Sequence, residues 1–250
     1  MEREAVLPYA SKILDLLGHA CEQAVVAGSV RRGRPDVKDL EIVATLPAQD
    51  ESRNNLLAGM DLLLAPLGPE PVSVSSSKLD EAIRRGVDSG LLAWQMNVKS
   101  GNRSGDGPKY KKLLVPDIGL KVDLFIVDRD AFGNQLAIRT GDGEFSQWMV
   151  TSHLYGGGMP LDMAHAEGRL WKFDDMEWGR EYRRWKELRD TDSDSHARDV
   201  LHECAKPEAC PTEQSFFDAI GVPMIKPSDR DSDACARLRA ALPHREALFA

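Results

Sequence analysis

Asp123 lies in the run Val122-Asp123-Leu124-Phe125-Ile126, an otherwise apolar strand candidate. An ionised side chain there is costly unless it is paired or bound to a cation. The fold must therefore bring other groups to Asp123. The candidates stand far upstream in Asp39-Leu40-Glu41. Residues i and i+2 of a strand share a face, so the Asp39 and Glu41 carboxylates project together. Side by side they repel, and one tends to hold its proton unless a divalent ion compensates. Magnesium, with manganese as the alternative, fits because it takes oxygen ligands and is commonly held by carboxylates plus substrate phosphates. Three carboxylates converging at strand ends can hold two ions, one activating an attacking hydroxyl and one neutralising a triphosphate and its leaving group.

A second motif precedes this set. The apolar run Ala24 to Ala27 reads as a buried strand, and Gly28-Ser29-Val30-Arg31-Arg32-Gly33 follows it as a turn or helix start. A glycine lets backbone N–H groups approach a phosphate closely, which assigns Gly28 and Ser29 to triphosphate binding. Arg32 adds a charged fork for the same oxygens. A lone Asp-x-Glu is most often a solvated face, and Gly-Ser before arginines is common; the ordered combination is what carries specificity.

The rest of the chain reads as a mixed α/β (α+β) protein. Val6, Ile13, Leu14, Leu16 and Leu17 recur at near-helical spacing, and that helix stops near Gly18. Leu40 to Thr45 is a strand, Arg53 to Leu67 a helix and Pro71 to Ser75 a short strand, so the sheet is expected to be mixed. Lys99 to Gly107 is rich in Gly, Ser and Asn and predicts an exposed loop. Lys111 to Val115 and Leu120 to Val127, separated by Pro116-Asp117-Ile118-Gly119, predict a hairpin with Asp123 in its second strand. Helices follow at Phe132 to Ile138 and Glu144 to Leu154. Asp190 to Ser195 reads as a solvated loop, and Thr212 to Ile220 as a capped helix ended by Gly221-Val222-Pro223. This organisation sets a first domain over 1–137, a second over 138–230 and a tail over 231–250.

Composition narrows the classes. A chain of 250 residues with 42% apolar and 29% charged residues is globular, without repeat or low-complexity signatures. The net charge of −8 argues against coating nucleic acid through bulk electrostatics. Sixteen acids against nine bases in 174–233 hold most of the excess, whereas 30–38 and 99–121 are locally basic. Within the latter, Lys109, Lys111 and Lys112 flank Tyr110 and are candidates for contact with a DNA or primer backbone. The charged start and the absence of a membrane-length apolar run predict a cytoplasmic protein with no membrane association. No protein partner is inferred. Four scattered cysteines make no disulfide framework, and His202, Cys204 and Cys210 match no established zinc spacing. His153, His165 and His196 read as structural, and Phe132, Phe145 and Trp148 as core.

These motifs resemble the family X DNA polymerases. Val26-Ala27-Gly28-Ser29-Val30-Arg31-Arg32-Gly33 looks like that family's phosphate-binding signature, Lys38-Asp39-Leu40-Glu41 like its first metal motif and Lys121-Val122-Asp123-Leu124 like its second. Arg139-Thr140-Gly141-Asp142-Gly143-Glu144-Phe145-Ser146 is similar to the segment that opens the family's thumb. Phe216 to Pro227 resembles the segment that closes the thumb. The resemblance implies a palm followed by a thumb, with Asp39, Glu41 and Asp123 as catalytic metal ligands. It also implies that Thr140, Gly141 and Asp142 line a nucleotide pocket. The expected reaction is attack of a 3′-hydroxyl of a DNA primer or primer-template on the α-phosphate of a nucleoside triphosphate, releasing pyrophosphate. Several positions depart from the pattern. Glu41 replaces an aspartate, Ile138-Arg139 replaces an aromatic pair, and Val150 stands where an arginine would probe the minor groove. No lyase domain or helix-hairpin-helix anchor is expected before residue 10. Two rival readings use the same residues: transfer to a protein or small-molecule acceptor, and an inactive nucleic-acid-binding protein of the same fold.

Overall fold

The computed structural model describes residues 1–48, 77–188 and 191–241, which form two compact units, Met1–Arg129 and Asp130–Ala250. The expected helix Arg53 to Leu67 and strand Pro71 to Ser75 lie outside the described residues.

In the first unit, α1 (Arg3–Leu17) buries Val6, Ala10, Ile13 and Leu17, one stripe of the helical period. After β1 (Gln23–Val26) the chain turns through the short α2 (Gly28–Arg31) into β2 (Asp39–Thr45). Helix α3 (Lys78–Asp88) starts at a reciprocal capping box between Ser77 and Asp80 and buries Leu79, Ala82, Ile83 and Gly86. Strands β3 (Ala93–Trp94), β4 (Asp106–Gly107), β5 (Tyr110–Val115) and β6 (Leu120–Ile126) complete a sheet of order β1-β2-β6-β5-β3, with β4 on β5. The sheet is mixed as expected: β2 and β6 run parallel, and the other pairs run antiparallel. Alternation sends Leu40, Ile42, Val122 and Leu124 into one core with the α1 and α3 stripes. The opposite sheet face carries Asp39, Glu41, Asp123 and Tyr110.

The predicted hairpin is present, closed by the 3-10 turn Pro116–Ile118 and by Gly119 at φ 63°. The segment Lys99 to Gly107 is exposed over most of its length, as expected, and it also pairs at the sheet edge. Met96 bridges Arg103, β4 pairs with β5, and the Arg103 guanidinium lies 4.4 Å from the Trp94 ring centroid. Backbone pairing at a sheet edge requires no hydrophobic period, so the sequence pattern carries no sign of it.

In the second unit, α4 (Phe132–Thr140) and α5 (Gly143–Val150) precede a three-stranded antiparallel sheet of β7 (Met163–Ala166), β8 (Arg169–Phe173) and β9 (Ala205–Glu208). Helices α6 (Met176–Glu187) and α7 (Thr191–Cys204) lie between β8 and β9 in sequence, and α8 (Glu213–Ala219) and α9 (Ser232–Ala241) follow. Phe145, Trp148, Phe216 and Phe217 centre one core, and Trp171, Phe173, Tyr182 and Leu201 centre another. Each fully buried aromatic contributes roughly 2–3 kcal/mol. Gly133 lets α4 meet the chain entering α8, since a Cβ there would lie 1.9 Å from the Thr212 carbonyl oxygen.

Three sequence expectations change in this unit. The division between units falls at 129/130 and not at 137/138, because α4 runs unbroken through Ala137 and buries it in the second unit's core. The expected loop Asp190 to Ser195 is helical from Thr191. Ser193, Ala197 and Leu201 form its buried stripe, and Asp192 and Asp194 sit in the first turn, where acidic groups favour a helix. The expected tail includes α9, whose Ala234 and Cys235 are core residues. At α8, Thr212 is the N-cap as predicted, with Ser215 as its reciprocal partner.

Candidate active site

The parallel register of β2 and β6 sets Glu41 directly beside Asp123 and Asp39 beside Lys121. Paired residues of adjacent strands point to one face, so Asp39, Glu41 and Asp123 share the face turned away from the core. All three are half-buried. Among the described residues no three His, Cys, Asp or Glu side chains are drawn into a ready-made metal cage. Mutual repulsion among three carboxylates opposes such closure without a cation.

The Gly-Ser motif meets the carboxylates directly. Gly28 opens α2 at φ +61°, and a Cβ added there would stand 2.1 Å from Glu41 Oε2. The glycine is required twice, for its backbone conformation and for the approach of Glu41. A backbone hydrogen bond from Ala27 N–H to the Glu41 carbonyl at 2.8 Å ties the end of β1 to β2. The adjacent Ser29 hydroxyl is buried without a hydrogen-bond partner among the described residues. Arg32 follows at the C-cap of α2, its N–H bonded to the Gly28 carbonyl, and Arg34 N–H reaches the Ser29 carbonyl at 3.0 Å. The motif is thus a closed turn seated on Glu41.

The residue set fits divalent ions by its chemistry. It offers three oxygen-only side chains on adjoining strands, Asp39 having no partner among the described residues, and beside them a hydroxyl unsatisfied among those residues and suited to a phosphate oxygen.

Asp123 accepts one hydrogen bond, from the Tyr110 hydroxyl to Oδ1 at 2.5 Å. Tyr110 stacks on Phe125 with ring centroids 5.0 Å apart. The sequence sets Tyr110 within a basic patch, and this contact comes from the hairpin. The available signal was alternation: Tyr110 and Lys112 share one face of β5, and a hairpin brings that face to Asp123.

The three lysines separate. Lys109 is exposed and Lys112 lies on the carboxylate face. Lys111 is corrected: its side chain is 9% exposed and its Nζ pairs with Asp80 and Asp106, each at 3.0 Å. Burial pushes the Asp80 carboxyl up, and its bonds to Lys111 and Ser77 outweigh that and hold it below its usual value. Consecutive strand residues point to opposite faces, so Lys111 is spent on the sheet edge and is closed to a DNA backbone.

In the second unit, Thr140 is fully buried and Asp142 caps α5, accepting from Phe145 N–H at 2.8 Å. A Cβ on Gly141 would crowd Ser146 and Phe145. These three residues form a tight corner between α4 and α5. Cys210 lies in a hydrophobic core, where burial, with smaller effects from Glu208 and Asp130, pushes its thiol up to about 12. His202 Nε2 lies 3.1 Å from Glu167 Oε1, and among the described residues no group of three His, Cys, Asp or Glu is placed to hold a metal ion. No helix among the described residues is long and apolar enough to cross a membrane.

No family model and no curated protein matches this chain. Among solved structures it is similar to the ternary gap complex of polymerase beta from Leishmania infantum. The TM-score is 0.59 at 17% identity, over 92% of this chain and 70% of that one. At that identity the likeness shows the fold: a mixed α/β architecture of the polymerase beta type.

Proposed function

We propose that this protein is a metal-dependent nucleotidyltransferase that moves a nucleoside monophosphate from a nucleoside triphosphate to a 3′-hydroxyl of DNA and releases pyrophosphate. The observation that carries this reading is the juxtaposition of Glu41 with Asp123 in register, Asp39 on the same face, and the Gly28-Ser29 turn pressed onto Glu41. The solved neighbour is a polymerase bound in a ternary gap complex, which favours nucleotide and DNA as the partners. On this reading the first unit is the palm and the second the thumb.

Asp39, Glu41 and Asp123 would hold two magnesium or manganese ions. When bound, these supply the positive charge that lets three carboxylates and a triphosphate share one site. The chain's own groups do the rest. Gly28, lacking a Cβ, leaves Glu41 its place, and the Ser29 hydroxyl donates to a phosphate oxygen. Arg32 offers the fork for a second phosphate oxygen. Asp123 presents Oδ2, the oxygen that Tyr110 does not engage, to orient the attacking 3′-hydroxyl. Thr140, Gly141 and Asp142 line the nucleotide through the backbone of their corner, and Lys109 and Lys112 meet the primer.

The test is incubation of a DNA primer with a free 3′-hydroxyl, with and without template, with ribo- and deoxyribonucleoside triphosphates labelled at the α-phosphate and either ion. Primer growth with stoichiometric pyrophosphate is the expected result. Label transferred to protein or to a small acceptor replaces the DNA assignment, and an absence of ion-dependent triphosphate binding by calorimetry ends the enzyme reading.

A further inference from the structure

Asp123 has a cation opposite it with which it does not pair. Lys112 is its direct cross-strand partner in the β5–β6 hairpin, the position at which opposite charges on one sheet face ordinarily meet. Among the described residues Lys112 makes no ion pair. Its ammonium lies over the Tyr110 ring, 5.6 Å from the centroid, and the Tyr110 hydroxyl donates to Asp123 Oδ1 at 2.5 Å. Tyr110 therefore stands between the two charges. Its face attracts the cation through the ring quadrupole, and its hydroxyl holds the anion. Stacking on Phe125, 5.0 Å between centroids and 23° between planes, fixes the ring that does both.

We infer that Tyr110 is a positioning residue that keeps Asp123 out of an ion pair with Lys112 and so preserves the carboxylate as a ligand for a divalent cation. The inference rests on the reading of Asp123 as a metal ligand. The physical case is a competition. A lysine at 112 is a permanent rival for the carboxylate, present at a far higher local concentration than any ion in solution. A phenol hydroxyl satisfies one oxygen without neutralising the charge, which leaves the other oxygen with its full attraction for a divalent ion. Hydrogen-bond partners of metal-ligating carboxylates act in this way, orienting the ligand without replacing the metal.

The measurement is direct titration of the full chain with manganese, reading free ion by electron paramagnetic resonance in the absence of nucleotide. The wild type is compared with Tyr110→Phe, Lys112→Met and the double variant, with melting curves to confirm folding. Tyr110→Phe keeps the ring and its stacking, and is expected to weaken manganese binding about ten- to a hundredfold. The double variant is expected to recover most of the loss, because the competing ammonium is gone. A merely structural tyrosine would not be rescued by changing Lys112. Wild-type affinity in Tyr110→Phe overturns the inference while leaving the metal site standing, as does a double variant as weak as Tyr110→Phe. A wild type that binds no manganese removes the metal reading and this inference with it.

Discussion

Arg183 in the second unit donates to the carbonyls of Leu161 at 2.7 Å, Gly179 at 2.8 Å, Pro160 at 2.9 Å and Met163 at 2.5 Å. In the same unit, Arg230 and Glu213 form an ion pair in which the two side chains are 0% and 6% exposed. The carboxylate face of the first unit is treated the other way. Among the described residues Asp39 and the Ser29 hydroxyl have no hydrogen-bond partner, and Asp123 has one. Charges that hold a fold together are paired or hydrogen-bonded within it, because an isolated buried charge is costly. On the proposed reading, groups left with spare capacity on a half-buried face are where metal and nucleotide bind. The contrast separates Lys111, spent on Asp80 and Asp106, from its neighbour Lys112.

The contrast can be broken most severely at the carboxylates. Asp39→Asn, Glu41→Gln and Asp123→Asn are each expected to cut nucleotide transfer by at least ~10³-fold, about 4 kcal/mol in the transition state, in single-turnover assays. Their melting temperatures should stay level or rise, since clustered negative charge is relieved. A variant that unfolds would place these carboxylates with the structural charges. Glu213→Gln is the mirror experiment: it removes the charge that Arg230 faces in the core and is expected to lower stability by on the order of 3 kcal/mol in urea melts. An unchanged midpoint would remove the distinction.

His165 sharpens the comparison through pH. Burial, with a smaller effect from Arg139, pushes its imidazole down from 6.5 to about 4, and Gln135 Nε2 lies 3.1 Å from its Nε2. Because the folded pKa is depressed, the unfolded chain binds the extra proton between these two values. Stability from this group is therefore whole above about 6.5 and lost as pH falls toward 4. The expected loss is about 2 kcal/mol by pH 5. Urea midpoints across that range should flatten in His165→Gln, and an unaltered slope would show that the histidine is not held neutral. The smallest effect is at the α4–α5 corner. Asp142→Ala should cost about 1 kcal/mol through the lost cap, and Asp142→Asn close to nothing. With stability matched in this way, a raised KM for triphosphate in Asp142→Asn would add nucleotide contact to the capping role, and an unchanged KM would leave capping alone.

Much of the candidate site could be read from the chain because it follows from short-range rules. Alternation alone puts Asp39 and Glu41 on one face, and the apolar setting of Asp123 demands company. Which residues stand opposite was not readable. A strand's period gives the face, whereas the register that sets Glu41 beside Asp123 and Lys112 opposite it depends on pairing between segments far apart in sequence. Lys111 departs from its expected place for the same reason: its partner Asp80 lies on a helix about thirty residues earlier. Helix α7 escaped notice because its buried stripe begins with Ser193 and Ala197, small residues that leave no hydrophobic signature.

By itself the sequence determined the order of α1, β1, β2, the β5–β6 hairpin, α4, α5 and α8, and the placing of Asp39 and Glu41 on one strand face. These depend on backbone geometry, which acts within a few residues. Only the tertiary structure decided that Glu41 rests on Gly28 and that Tyr110 touches both Asp123 and Lys112. Those contacts depend on strand register and close packing between distant segments, whose energies arise only once the chain has folded.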